Sequence, residues 1–356
     1  MSSVEIMKLI QGNVLSLKPY HVESTDCEIK LHANENPFPP SKELLELFSS
    51  SLQKLQLNRY PDPDSRALKD SIANRLGIET KHLVIGNGSD EIILFLLQVF
   101  CQKGDTITFP DPTFSMYSII AQGLGIKSVS ISLDNHWDFS ADVILQSAEE
   151  NNSKIIFLSY PNNPTGNCFS DTQVQKVIDN FQGIVVIDEA YHDFSRKSFV
   201  NQIKEHNNLI VLRSLSKIGL AALRVGFGVA DPLVISEINK VRLPYNSNTI
   251  SQAFAENLIT NFEAVQTQIN SILDERHRLL DELHKIESVT AFPSDSNFIL
   301  FKTKQPAGSI FAFLSKNGIL VRNLSSHPKL INCLRVTVGT KSENDRFLSK
   351  LKDFKN

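Results

Sequence analysis

The sequence contains only four cysteines, Cys27, Cys101, Cys168 and Cys333, each standing alone. Without pairs at zinc-like spacing they suggest neither a metal site nor a disulfide framework, and a reducing, cytoplasmic setting is expected. No apolar run approaches the roughly 18 residues that a membrane-spanning helix requires. A basic excess is also lacking: 36 Lys and Arg stand against 39 Asp and Glu, which argues against nucleic acid or an anionic membrane as a partner. Glu5 and Lys8 interrupt the N-terminal apolar stretch, so it does not read as a secretory signal. Internal repeats and low-complexity segments are missing as well.

What is present is an ordinary globular balance, 41% hydrophobic and 21% charged residues over 356 positions, long enough for two domains. Short apolar runs alternate with helical patterns. "HLVIGNG" leads through glycines into the helix "SDEIILFLLQVF", and "DTITFPD", "IKSVSISL", "SKIIFLSY", "GIVVIDEAY", "NLIVLRSLSK" and "VGFGVAD" continue the series. Continuous apolar runs of this kind are strands buried on both faces, so the expectation is an α/β fold with a mostly parallel sheet. After Val241 the pattern changes to a long helical stretch, "SQAFAENLITNFEAVQTQINSILDERHRLLDELHKI", and then to short strands and a closing helix. The division expected is an N-terminal segment, 1–40, packing on the small domain or on a partner subunit, a large domain, 41–245, and a small α+β domain, 246–356.

In an open parallel sheet, ligands bind off the carboxyl ends of the strands, and four strand-end stretches carry usable chemistry. In "GNGSDE" (86–91) glycines permit a tight turn and Ser89 and Asp90 open a helix, whose N-terminal N–H groups suit a phosphate; an ordinary strand-to-helix turn looks the same. "YPNNPTG" (160–166) is a rigid loop in which Asn163 could donate its amide, or merely make the turn. In "IVVIDEAY", Asp188 follows a buried strand, where a carboxylate needs a cation or donors; a cap or structural ion pair is the alternative. In "LRSLSKIG", Lys217 stands where an apolar strand ends. Loss of hydration there would favour the free amine, a nucleophile and base, although a lone lysine is more often a surface charge. Arg224 downstream offers a fixed cation for a phosphate.

Taken in order, "RYPDP", "GNGSDE", "DPTFSMY", "YPNNPTG", "VVIDEAY", "SLSK" and "LRVTVG" resemble the fold-type-I pyridoxal-phosphate aminotransferases over essentially the whole chain. "HANENPFPP" and "VRNLSSHPKLINCLRVTVGT" resemble the histidinol-phosphate branch of that family. The resemblance implies the PLP-dependent transferase fold type I, with a large domain carrying a mostly parallel seven-stranded sheet and a smaller α+β domain. It implies pyridoxal 5'-phosphate as cofactor, no metal, and a homodimer with shared active sites. Lys217 would join the cofactor and shuttle the substrate proton; Asp188 would pair with the pyridine nitrogen. Asn163 and Tyr191 would donate to the ring oxygen, and Phe114 would stack on the ring. Ser89, Asp90, Ser214, Ser216 and Arg224 would surround the phosphate, with Tyr60 reaching it from a neighbouring subunit. Arg335, assisted by Asn36, would grip the substrate carboxylate, and Arg322 with Tyr20 the phosphate ester of histidinol phosphate. His32 replaces an asparagine of the family stretch and is read as a loop histidine.

The activity implied is transfer of an amino group between L-histidinol phosphate and 2-oxoglutarate, in a ping-pong cycle. The alternatives on the same scaffold are an aromatic amino-acid aminotransferase, a threonine-phosphate decarboxylase and a non-catalytic cofactor-binding regulator. The last usually needs an attached DNA-binding module, and neither such a module nor a basic patch is found.

Overall fold

The computed structural model describes residues 3–19 and 26–354. Strand β1 (Ile29–Lys30) lies in the N-terminal segment. The main sheet follows, built from β2 (Leu83–Asn87), β3 (Thr106–Asp111), β4 (Lys127–Ser132), β5 (Ser153–Ser159), β6 (Ile184–Asp188), β7 (Leu209–Ser214) and β8 (Val225–Val229). Their order across the sheet is β2-β8-β7-β6-β5-β3-β4. Only β8 runs against its neighbours; β3, β4, β5, β6 and β7 pair in parallel.

Side-chain alternation explains why the central strands are largely apolar. Along β5, Ile155 and Phe157 enter one buried cluster while Ile156 and Leu158 enter the other; on β7, Ile210 and Leu212 oppose Leu209 and Val211 in the same way. The central strands therefore bury both faces, which is the arrangement a parallel sheet covered by helices demands, whereas β4, at the sheet edge, reads Lys-Ser-Val-Ser-Ile-Ser and has no buried residue.

Helices α1 (Lys42–Lys54) and α2 (Arg66–Leu76) precede the sheet, and α3 (Ser89–Phe100) and α4 (Met116–Gly123) follow its first strands. The helical stretch expected after Val241 is two helices, α5 (Thr249–Thr260) and α6 (Glu263–His284), separated at Asn261 and Phe262. Helix α5 packs on α1 through the stacked rings of Phe48 and Phe254, 4.2 Å apart, and a 2.7 Å bond from Asn257 to Ser51. Residues 249–260 thus pack on the helix at 42–54, across the boundary at 246 expected from sequence.

The smaller sheet contains β9 (Val289–Ala291), β10 (Phe298–Thr303), β12 (Arg322–Asn323) and β13 (Cys333–Thr337), all antiparallel in the order β12-β13-β10-β9. Strand β11 (Ile319–Leu320) pairs in parallel with β1, so the N-terminal segment is hydrogen-bonded to this end of the molecule. Earlier in the same segment, Asn13 donates to the carbonyls of Gln122 and Gly123 at the end of α4. The β12–β13 loop reaches across to the large sheet: His327 Nε2 lies 3.1 Å from both carboxylate oxygens of Asp111 at the end of β3, and Lys329 donates to the Leu133 carbonyl. A cleft is left between this loop and the carboxyl ends of β3, β5, β6 and β7. Among the described residues no helix is long and apolar enough to cross a membrane.

Candidate active site

That cleft is a cavity of about 460 Å³. Three sets of side chains meet in it.

The first set forms an anion cup. Gly88, with φ 82°, caps α3, and Ser89 and Asp90, which open the helix where N–H groups have no partner within it, line the cavity. Arg224 is held in the left-handed region, φ 55°, between β8 and the turn before it. Its guanidinium donates to Ser216 Oγ at 3.2 Å and to Asp90 Oδ2 at 3.3 Å. Strand β8 passes directly beneath: a Cβ on Gly226 would stand 2.3 Å from the Ser89 nitrogen, so no larger residue fits this crossing. Ser214 ends β7 and accepts from the Ser216 N–H, closing the turn that carries Lys217. Dipole, guanidinium and hydroxyls converge on one point, a site suited to phosphate.

The second set lies at the strand ends. Asp188 terminates β6 with 3% exposure. Its Oδ2 accepts from the Tyr117 hydroxyl at 2.8 Å and its Oδ1 from the Ala190 N–H at 3.1 Å. Burial drives its carboxyl up to about 6, against the opposing pull of the Tyr117 and Ala190 hydrogen bonds, while the Asp90 charge adds to the rise. Lys217 is half-buried, with its ammonium 5.7 Å from the centre of the Tyr191 ring. The Tyr191 oxygen accepts from Asn34 Nδ2 at 2.9 Å, which leaves its own proton to donate elsewhere. Phe114 lines the same wall, its ring edge-on to Tyr117 at 5.5 Å.

The third set comes from the small sheet. Arg322 and Arg335 are direct cross-strand partners on β12 and β13, and both line the cavity. Opposed residues in an antiparallel pair present their side chains on one face, roughly 5 Å apart at Cβ. Arg335 is 8% exposed; it donates to the His32 carbonyl at 2.8 Å and to Asn163 Oδ1. With its oxygen engaged, the Asn163 amide has its N–H groups to offer.

The family profile for class I and II aminotransferases matches residues 27–351. The chain belongs to the class I and II aminotransferases. It is 39% identical to the histidinol-phosphate aminotransferase of Aquifex aeolicus over 346 residues, 97% of this chain and 98% of the relative. It is 37% identical to the enzyme of that name from Vesicomyosocius okutanii, over 97% of each chain. Among solved structures it shares the fold of histidinol-phosphate aminotransferase from Sinorhizobium meliloti in complex with pyridoxal-5'-phosphate. The TM-score there is 0.88, at 20% identity over 97% of each chain.

For this aminotransferase, twelve side chains named from the sequence line the one cavity: Ser89, Asp90, Phe114, Asn163, Asp188, Tyr191, Ser214, Ser216, Lys217, Arg224, Arg322 and Arg335. Two are not brought there. Asn36 is turned away as a structural clamp, donating to the Ile218 carbonyl and Gln268 Oε1 and accepting from the Phe38 N–H; the asparagine at the cavity is Asn34, two residues earlier. Tyr60 is 80% exposed and stacks on Tyr245 at 4.5 Å, away from the cavity of its own chain. Tyr20 lies outside the described residues.

Asn34, Tyr117 and His32 were missed. Asn34 is 1% exposed and bonded to Tyr191, Thr337 and, through its carbonyl, Asn297. Tyr117 looks in sequence like a core position of α4, and only the fold brings its hydroxyl to β6. His32, read as a loop histidine, lines the cavity beside both arginines. Burial holds its imidazole below the ordinary value; Glu35 opposes this, and Arg322 and Arg335 deepen it. Among the described residues no group of three or more His, Cys, Asp or Glu side chains is placed to hold a metal ion.

Proposed function

We propose that the protein catalyses amino-group transfer between L-histidinol phosphate and 2-oxoglutarate, using pyridoxal 5'-phosphate. The observation that carries this reading is the cross-strand pair Arg322 and Arg335, both lining the cavity that also holds Lys217. A substrate carboxylate needs one guanidinium fork; a dianionic phosphate ester is best held by two. Curated relatives of the same name at 37–39% identity support it.

The residues fit the cofactor. The cup of Ser89, Asp90, Ser214, Ser216 and Arg224 would take its phosphate, and the volume that Gly226 leaves open admits backbone donors close to the ligand. Asp188 would face the ring nitrogen, the Asn163 amide and the Tyr191 hydroxyl would donate to the ring oxygen, and Phe114 would cover one face. When bound, the group supplies an aldehyde carbon and an electron sink for the pair released at the substrate carbon. This chain's own work is then positional and protonic. Asp188 supplies a negative charge at the closed end of the cavity, stabilising positive charge placed against it. The Lys217 amine is the base at the open side, where it would take the proton from the substrate carbon and return it on the far side of the transfer. Arg335 would hold the glutamate carboxylate in one half of the cycle and, with Arg322, the phosphate ester in the other; one cavity must accept both partners in turn. Leu324 and Leu330 of the loop at 324–330 line the same cavity and, with Phe114, would help to keep water from the transfer.

A homodimer belongs to this reading. Tyr60 and Tyr245 form an exposed stacked pair, Leu57 and Leu243 beside them in the chain are 62% and 71% exposed, and Arg242 ties the two segments by donating to the Pro63 carbonyl. Such an apolar patch fits a second copy, across which Tyr60 would reach the neighbouring phosphate cup. The four free cysteines suit a reducing, cytoplasmic setting.

The test is transamination of histidinol phosphate, phenylalanine and tyrosine assayed side by side with 2-oxoglutarate, in the unsubstituted protein and in Arg322→Ala. Histidinol phosphate should be the preferred donor by kcat/KM. Arg322→Ala should lower that preference by about 10²-fold, the loss of one charge-assisted contact, while glutamate turnover falls much less. Preference for phenylalanine, or equal losses on both donors, contradicts the assignment.

A further inference from the structure

Asp188 is not held by the strand alone. Strand register sets up its neighbourhood: Phe157 is paired with Val186, and two residues on Ser159 is paired with Asp188, so the four share one face of the sheet. Tyr117, on α4, lies flat on Phe157 with ring centres 4.7 Å apart and an interplanar angle of 16°. It has no solvent exposure. From that berth its hydroxyl reaches along the strand to Asp188 Oδ2 at 2.8 Å, while its ring meets Phe114 edge-on at 5.5 Å and 86°.

We propose that Tyr117 is a positioning residue for the cofactor ring: its hydroxyl fixes the Asp188 carboxylate and its ring fixes Phe114, so one side chain sets two of the ring's partners. This rests on the pyridoxal-phosphate reading above. The two oxygens of Asp188 are each anchored from the protein side, one by Tyr117 and one by the Ala190 N–H, and each keeps a lone pair for the cavity. The plane of the carboxylate is therefore set before any ligand arrives. Burial, and then the Asp188 charge, hold the Tyr117 phenol well above its usual range, so it stays a donor at every working pH. A donor facing a buried carboxylate favours the charged form that a protonated ring nitrogen needs. The same rigid stack passes Phe157 packing on to Phe114, so the edge contact and the hydrogen bond move together.

Tyr117→Phe keeps the stack on Phe157 and the edge against Phe114 and deletes only the hydroxyl. The full-length protein, stripped and reloaded, is titrated with pyridoxal 5'-phosphate across pH 5 to 8 by absorbance, and with ¹⁵N-labelled cofactor by NMR. Tyr117→Phe should bind about tenfold more weakly, a modest value for a buried bond to a charged group. The acid limb of its binding curve should move to higher pH, and the ring-nitrogen resonance should shift. Placing 3-fluorotyrosine at 117 strengthens the donor at nearly constant shape and should move the limb and the resonance in the opposite direction. If the phenylalanine variant does not fold, the fluorinated protein decides alone. Cofactor binding by the unsubstituted protein, with affinity, acid limb and resonance unchanged in the altered ones, makes Tyr117 a packing residue and overturns the proposal. No binding by the unsubstituted protein overturns the cofactor reading beneath it.

Discussion

Asp188 illustrates how a buried charge works against the fold that carries it. Its carboxyl is raised from 3.8 to about 6, chiefly by burial. A raised carboxyl contributes stability as the neutral acid: the contribution is full below about pH 4 and is lost as pH climbs through about 6, for a total of about 3 kcal/mol. Asp188→Asn removes that titration and keeps an acceptor for Tyr117. In the cofactor-free protein the variant should match the parent near pH 4 and exceed it by about 3 kcal/mol at pH 8, as read by denaturant unfolding. Transamination should be lost. A parent whose unfolding midpoint does not fall relative to the variant between those pH values would show that the buried carboxylate is already compensated.

At the scale of elements, the anion cup depends on how closely β8 passes under the start of α3. The two glycines of β8 test this on one face of one strand. On Gly226 a Cβ would meet the backbone of Gly88 and Ser89 at 2.3 to 2.5 Å, whereas on Gly228 it would meet the side chains of Val84 at 3.1 Å and Ile92 at 3.4 Å. Gly226→Ala must therefore push the helix start away, costing about 1–3 kcal/mol, and should weaken cofactor binding by at least tenfold. Gly228→Ala should lose stability by less and leave the cofactor affinity near that of the parent. Equal affinities in the two variants would mean the cup does not need this crossing. Elements also decide what could be read in advance. The central strands of the main sheet were legible because burial on both faces makes them largely apolar runs, and Asp188 stands at the end of one and Lys217 in the turn just after another. Tyr117 was not legible, because a buried tyrosine in a helix pattern carries no sign of which strand its hydroxyl meets. Asn34 and Asn36 are the same residue type on either side of Glu35, and only the folded backbone, left-handed at Asn34 with φ 57°, shows that one lines the cavity while the other donates to the Ile218 carbonyl. The break between α5 and α6 falls at Asn261 and Phe262, with neither Gly nor Pro to mark it.

At the scale of the whole molecule, the cavity is closed by parts distant in sequence: the carboxyl ends of the large sheet, the residues after β1, and the arginine pair of the small sheet. The arginine pair became visible in sequence only through family resemblance, since positions 322 and 335 are joined by register alone. Exposed Tyr60 and Tyr245 extend the reasoning to a second copy. Sedimentation should give a dimer, and Tyr60→Ala should weaken cofactor affinity by about tenfold, the share of one hydrogen bond to a charged phosphate, without disturbing the fold of the single chain. A monomer that binds cofactor with full affinity would contradict the shared site. The expectations about transamination rest on Lys217 being the residue that joins the cofactor. Borohydride reduction of the loaded protein, followed by peptide mass mapping, tests that directly. A single pyridoxyl adduct on the peptide carrying Lys217, absent from Lys217→Ala, is the predicted result; an adduct on another lysine, or none, would contradict the account.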